Sequence, residues 1–361
     1  MRAARLPGRK LGFATGTTLT LPRRSFLLAT LVMLLGGLLT ACGSSGGGAN
    51  SITLYNGQHP ETTDALVSAF EKATGINVEV ESNDEDFQAN EIVQEGSHSP
   101  ADVFFTENSQ PLEHLQEKGL LAPVNASTLA HTPSRFNSPL GDWVGVTARV
   151  SVIVYNPSLI EKSQLPTHVL QLADPAYKGK LAIAPGETDF QPIVTSVDRA
   201  YGEARTLKWL RGIKANSNRP QGYDSNEDLT SAVNDGEAAF GIINQYYWYR
   251  LRAQVGVSNM HSEIAYFAAG DPGYVIDVSG AAVLKSSRHQ ADAEKFLAFI
   301  TSKAGQEIIA HSTSYEYPIA SGVTTAQPET PFDLLHPYPI TIAELGDGLQ
   351  AVAFLQEVEL L

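Results

Sequence analysis

Apolar and polar residues along the chain fall into two alternating periods. Ile52-Thr53-Leu54-Tyr55 has the pattern of a strand, and beyond Asn56-Gly57-Gln58-His59-Pro60 the spacing of Leu66, Ala69, Phe70 and Ala73 predicts a helix. Thr62 or Thr63 is the expected cap of that helix and Gly75 its end. Ile76, Val78 and Val80 alternate with polar residues as a second strand, a polar helix follows, and Ala101-Asp102-Val103-Phe104-Phe105 is short and apolar enough to be a buried strand. Strand, helix, strand, helix, strand implies a mainly parallel sheet with helices on its faces. Further on, Trp143 to Tyr155 is β-rich, residues 203–214 and 227–234 have helical spacing, and Ala238 to Ile243 is a second buried strand. Ala291 to Ile309 is expected to be helical, and Ile340 to Leu360 to form a closing helix. Two such α/β units, joined by β-rich crossings near Gly145–Val150 and Val275–Ser279, would make two lobes with a cleft between them.

The first 41 residues do not fit this pattern. They carry six Arg and Lys and no acidic residue, then run into the apolar stretch from Phe26 to Leu39, the order of an export signal. A spanning anchor is the other reading, although about 15 apolar residues fall short of the ~20 that a membrane-crossing helix needs. Leu39-Thr40-Ala41-Cys42 resembles a bacterial lipobox, which would make Cys42, the only cysteine in 361 residues, a lipidated N-terminus after residues 1–41 are removed. Arg23-Arg24-Ser25-Phe26-Leu27 also looks like a twin-arginine signal. Residues 42–50, rich in Gly and Ser, would be a flexible tether at the outer membrane face.

Composition narrows the function classes. A single cysteine excludes disulfide frameworks, Cys-based zinc sites and iron–sulfur clusters. Without residues 1–41 the chain holds 19 Lys and Arg against 39 Asp and Glu, a net charge of −20 that argues against nucleic acid as a partner.

Three loops stand at the expected carboxyl ends of strands, where open α/β sheets place ligands. One holds His59; Phe105-Thr106-Glu107-Asn108 presents Glu107; Asn244-Gln245-Tyr246-Tyr247-Trp248-Tyr249 presents two adjacent phenols. A phenol has a pKa near ~10 and becomes an anionic ligand at neutral pH only when a strongly charged cation displaces its proton. One carboxylate and two phenolates would neutralise Fe³⁺, with His59 as a neutral nitrogen donor and up to two positions left for water or an anion. A small-molecule cleft lined by aromatics is the competing reading.

At these residues the chain resembles the bacterial periplasmic ferric-ion-binding proteins of the ABC-transporter solute-binding family. The likeness covers nearly all of the chain beyond the tether and is carried by Leu54 to His59, Ser99 to Glu107, Ile242 to Trp248 and Ser279 to Ser287. It implies a two-lobed periplasmic-binding-protein type II fold, each lobe a mainly parallel sheet flanked by helices, with lobes over 51–148 plus 277–327 and 149–276 plus 328–361. It also implies His59, Glu107, Tyr246 and Tyr247 as iron ligands, and a monomeric protein that passes ferric iron, free or chelated, to an ABC permease and its ATPase.

The family further holds a synergistic anion, phosphate or carbonate, beside small residues at a helix start and two asparagines. The asparagines have counterparts in Asn226 and Asn244. At the small-residue loop this chain departs from the family, because Pro185-Gly186-Glu187-Thr188-Asp189 sets two carboxylates where phosphate would be repelled. Either the anion sits elsewhere or Glu187 or Asp189 substitutes for it. A binding protein for an anion or polyamine on the same fold is the alternative. A metal-dependent hydrolase lacks support, since no H-E-x-x-H motif occurs.

Overall fold

Residues 50–327 and 329–361 are described by a computed structural model. The export signal, Cys42 and the tether as far as Ala49 lie outside the described residues. The described residues form nine strands, β1 (Ser51–Asn56), β2 (Asn77–Ser82), β3 (Val103–Thr106), β4 (Val144–Tyr155), β5 (Leu181–Ala182), β6 (Phe240–Asn244), β7 (Glu263–Ala265), β8 (Ile276–Val283) and β9 (Tyr317–Pro318). They hydrogen-bond in the order β2-β1-β3-β8-β4-β6-β5, with β7 and β9 also on β4.

Parallel pairing occurs in the outer strands, β1 with β2 and β3, and β5 with β6. The central strands depart from the mainly parallel expectation: β8 runs antiparallel to β3 and β4, and β4 antiparallel to β6. The reason is the crossing itself. The chain leaves one half of the molecule along β4 and returns along β8, so these strands oppose each other, Val144 to Val150 against Ala281 to Ile276. The first part of β4 thus belongs to the β2-β1-β3-β8 side, and Ser151 to Tyr155 pair with β6 on the other. All twelve residues of β4 are buried. The architecture is two-lobed α/β, with one strand threaded through both lobes.

Local sequence explains the element ends. Helix Pro60–Thr74 starts at His59, because Pro60 at the first helical position needs no N–H partner there. Thr62 and Thr63 therefore lie inside the helix, buried, and not at its cap. Gly75, in the left-handed region at φ 72°, ends it as expected. This helix buries Leu66, Val67 and Phe70 in a core with Ile52 and Leu54 of β1, Val103 and Phe105 of β3, and Phe296, whose ring meets Phe70 edge-on at 5.1 Å. Burial of each such side chain contributes about 1.5–3 kcal/mol.

The helical segment from Ala291 is interrupted at Ser302, which caps a second helix: Gln290–Thr301 is followed by Lys303–His311. The closing helix is likewise broken, into Ile342–Leu345 and Leu349–Glu357. Gly346 and Gly348 take positive φ values of 63° and 74° between the two pieces.

Candidate metal centre

Each expected donor lies where a strand gives way to the next element. His59 is the N-cap residue of helix Pro60–Thr74, just past β1, and Glu107 follows β3 directly. The tyrosines are not in a loop: Tyr246 and Tyr247 form the first turn of helix Gln245–Val255. That helix begins at once after β6 because buried Gln245 locks it to the crossing strand. Its side-chain oxygen accepts from the Val150 N–H at 2.8 Å and its amide donates to the Tyr315 carbonyl at 3.1 Å.

The four side chains converge. The Tyr246 hydroxyl donates to Glu107 Oε1, and the His59 Nε2 atom lies 3.6 Å from the same oxygen. The His59 and Tyr246 rings meet edge-on at 5.1 Å, and the Tyr246 and Tyr247 rings are 4.1 Å apart. Both phenols are almost wholly buried.

Residues of the acidic loop take different places. Asp189 Oδ2 accepts from Tyr247 at 2.8 Å and from the Asn226 amide at 3.2 Å, and lies 3.1 Å from the Tyr246 hydroxyl. Thr188 turns away, its hydroxyl 3.3 Å from Asp86 Oδ2. Glu187 lines a cavity of about 150 Å³ with Glu107, Asp84 and Glu85. Asn244 is the buried N-cap residue of the tyrosine helix and makes no side-chain capping bond. Asn226 and Asp189 are thus brought to the phenols, and Asn244 caps without bonding to them.

Sequence reasoning missed three groups behind the donors. Arg149, fully buried on β4, points Nη2 at Glu107 Oε1 (3.8 Å) and Glu316 Oε1 (3.5 Å), and Nε at Asp189 Oδ1 (3.9 Å). Buried Glu316 accepts from Thr147 at 2.9 Å, and its Oε2 lies 3.8 Å from His59 Nδ1. The Glu316 carboxylate thus faces Nδ1, and Nε2 is the nitrogen turned toward Glu107. Glu85 accepts from the Glu107 and Asn108 backbone N–H groups at 2.8 and 2.9 Å, which fixes the Glu107 loop. Gly57 packs against it so closely that an added Cβ would stand 2.5 Å from Glu85 Cβ.

Electrostatics show what this cluster lacks. Burial, then the Asp189 and Glu107 carboxylates, hold both tyrosines well above the ordinary phenol range, so both are neutral. Burial pulls the His59 imidazole down, but Glu107 and Glu316 outweigh it and the net shift is upward. Glu316 is lowered despite burial, through the neighbouring His59 and the charge of Arg149. Burial and then Glu107 push Asp189 up to about 6, and burial and then Asp189 push Glu187 up to about 8. Among the described residues His, Cys, Asp and Glu form no metal-holding group by themselves. A metal here must draw on the phenols, which calls for a hard, highly charged cation.

These upward shifts fix a stability dependence. The folded iron-free protein holds protons on Asp189, Glu187 and His59 that the unfolded chain has released, so this contribution is complete below the unfolded pKa values. It is lost as pH rises through about 6 and about 8. Iron-free protein is expected to unfold several degrees higher near about pH 5 than near about pH 8, read by differential scanning calorimetry. A melting temperature that rises with pH over that range would contradict the shifts.

Comparison with known proteins defines the class. The family model for bacterial extracellular solute-binding proteins matches residues 56–307. The chain belongs to that family, whose members bind solutes and are not enzymes. It is 36% identical over 335 residues to the Fe(3+)-binding periplasmic protein of Serratia marcescens, covering 93% of this chain and 96% of that one. It is also 36% identical over 309 residues to the major ferric iron-binding protein of Neisseria meningitidis serogroup A, covering 85% and 92%. Among solved structures, iron-bound HitA from Pseudomonas aeruginosa superposes with a TM-score of 0.81 at 38% identity, over 85% of this chain and 99% of that one. Among the described residues no helix is long and apolar enough to cross a membrane.

Proposed function

We propose that this chain is an exported solute-binding lipoprotein that captures Fe³⁺ in its interlobe cleft and delivers it to an ABC permease and its ATPase. The observation that carries this reading is the pair of buried phenols whose hydroxyls meet the Glu107 and Asp189 carboxylates. The Serratia and Neisseria relatives are named for ferric iron, and the HitA structure is an iron-bound one. In the proposed site Glu107 is a carboxylate ligand, His59 a neutral nitrogen ligand through Nε2, and Tyr246 and Tyr247 are phenolate ligands. Each phenol exchanges its proton for a bond to iron, so at least two protons leave per ion bound. Fe²⁺, with one charge fewer, displaces phenol protons less well, which favours the oxidised ion.

His59 and Glu107 follow strands on one side of the crossing, and the tyrosines follow β6 on the other. With lobes over 51–148 plus 277–327 and 149–276 plus 328–361, binding would draw the lobes together by flexing near Arg149 on β4. Residues 1–41 would be the signal and Cys42 the lipid-bearing residue that anchors the monomer to the membrane.

The test is a titration of iron-stripped protein with ferric citrate. A broad visible phenolate-to-iron absorption band that saturates at one ion per chain is expected. An anion ligand is opposed by the carboxylates lining the cavity, whereas a polyamine would match them. Absence of the band, together with stabilisation by spermidine, would replace the ferric reading with the polyamine one.

A further inference from the structure

We infer that Tyr315 is a positioning residue of the metal centre. It ties the helix that carries both phenols to the carboxylate behind His59, so that donors on the two sides of the crossing are placed by contacts that do not touch the ion. The inference rests on the ferric reading of the site. It starts from a backbone angle. Tyr315 has φ 59°, and among the described residues it and Glu359 are the non-glycine positions in the left-handed region. A bulky side chain seldom adopts that region, and such strain persists only where surrounding contacts over-determine it. The strained residue stands between helix Lys303–His311 and β9.

Two contacts from one helix hold it there. Gln245 and Tyr249 are four positions apart on helix Gln245–Val255 and share a face. The buried Gln245 amide donates to the Tyr315 carbonyl at 3.1 Å. The Tyr249 and Tyr315 rings stack at 5.9 Å, with 20° between their planes. Tyr246 and Tyr247 sit between these two anchors in the same helical turn, so the phenols move with the face that grips Tyr315.

The other end of the link is the next residue. The left-handed turn lets adjacent side chains diverge, the Tyr315 ring toward the tyrosine helix and the Glu316 carboxylate into the interior. Glu316 Oε1 accepts from Thr147 at 2.9 Å and from the Gln58 amide at 3.4 Å, and Oε2 faces His59 Nδ1 at 3.8 Å. Gln58 in turn holds the His59 backbone, its Oε1 accepting from the His59 N–H at 2.7 Å. β9 pairs with Thr147 and Ala148 in the first part of β4, whereas β6, which leads into the tyrosine helix, pairs with Ser151 to Tyr155 in the second. Tyr315 and Glu316 therefore bridge the two sides of the crossing through a single peptide unit. Groups that orient metal ligands from behind typically support affinity by about 10–100-fold.

The experiment measures ferric affinity by competition of iron-stripped protein against citrate, and iron loss into excess EDTA by decay of the visible band. Tyr315→Gly leaves the left-handed backbone free of strain and removes the stacked ring. It should lower affinity about tenfold and speed iron loss by about the same factor. Tyr315→Phe keeps the ring and should match wild type. Should the glycine variant fail to fold, Tyr249→Leu breaks the stack from the helix side and should give the same loss. The deciding measurement repeats the substitution with His59→Ala already in place. There Tyr315→Gly, or Tyr249→Leu in its stead, should change affinity by less than about twofold, because its route to the ion runs through Glu316 to His59. An equal loss with and without His59 would show a purely structural role and overturn the inference. A change below about twofold in the wild-type background would overturn it too. Both results leave the ferric site standing, since the wild-type band still forms. Absence of that band in wild type loaded with ferric citrate would reject both readings.

Discussion

Tyr246→Phe and Tyr247→Phe should each lower ferric affinity by at least about 100-fold and weaken the visible band, and the double variant should lose both. Each substitution removes an anionic donor, and loss of a metal-supporting group even beyond direct contact typically costs about 10–100-fold. The fold should tolerate the change. Both rings are packed side by side in the first helical turn, and phenylalanine keeps that packing. Loss of a hydroxyl removes one donor from Glu107 or Asp189, which is worth about 1–3 kcal/mol when the acceptor is buried. Competition against citrate gives the affinity and calorimetry of the iron-free forms gives the stability. Unchanged affinity in the double variant would show that the tyrosines serve packing alone.

The second large effect concerns stability. Arg149→Met should destabilise the iron-free protein by about 3–5 kcal/mol at neutral pH, because it leaves a buried carboxylate cluster without its cation. Glu316 is affected most: it is fully buried and 3.5 Å from Arg149 Nη2, and its remaining partners are Thr147, Gln58 and His59. Iron should restore part of the loss, since the ion compensates Glu107 and Asp189 but not Glu316. Acidification should restore part as well, because protonated carboxyls no longer need the guanidinium. Urea unfolding with and without iron measures both effects. A loss below about 1 kcal/mol would mean that the carboxylates do not depend on Arg149.

Much of this architecture was legible in the chain. Alternation located β2, a strand-like run β1 and short apolar runs β3 and β6, and the β-rich stretches near Gly145 and Val275 marked β4 and β8 before any pairing was known. Helices Gln110–Glu117 and Gln191–Tyr201 escaped notice although both begin Gln-Pro, a helix-start signal that their polar surroundings obscured. The tyrosines read as a loop because aromatic residues side by side have no helical period; tertiary bonds from Gln245 set the helix start.

For the site, residue chemistry identified the side chains that meet, and long-range pairing hid those that support them. Arg149 did leave a trace, as the lone charge in the run Val144 to Tyr155. Glu316 left none. Its neighbours show no period, and it is buried because β9 pairs with β4, which brings it to a hydroxyl 169 positions away.

The contributing segments are scattered along the chain, with His59 near its start, Tyr247 past its middle and Glu316 near its end. No short contiguous fragment holds more than a pair of the donors, and the first half of the strand that joins the halves is paired only after β8 has been made. A chain still being synthesised or threaded through a translocation pore therefore has no centre to load. Metal capture waits for the last long-range pairings, so a loaded molecule is also a completely folded one. Where that pairing is completed, inside or outside the membrane, decides which compartment's metal the protein meets first.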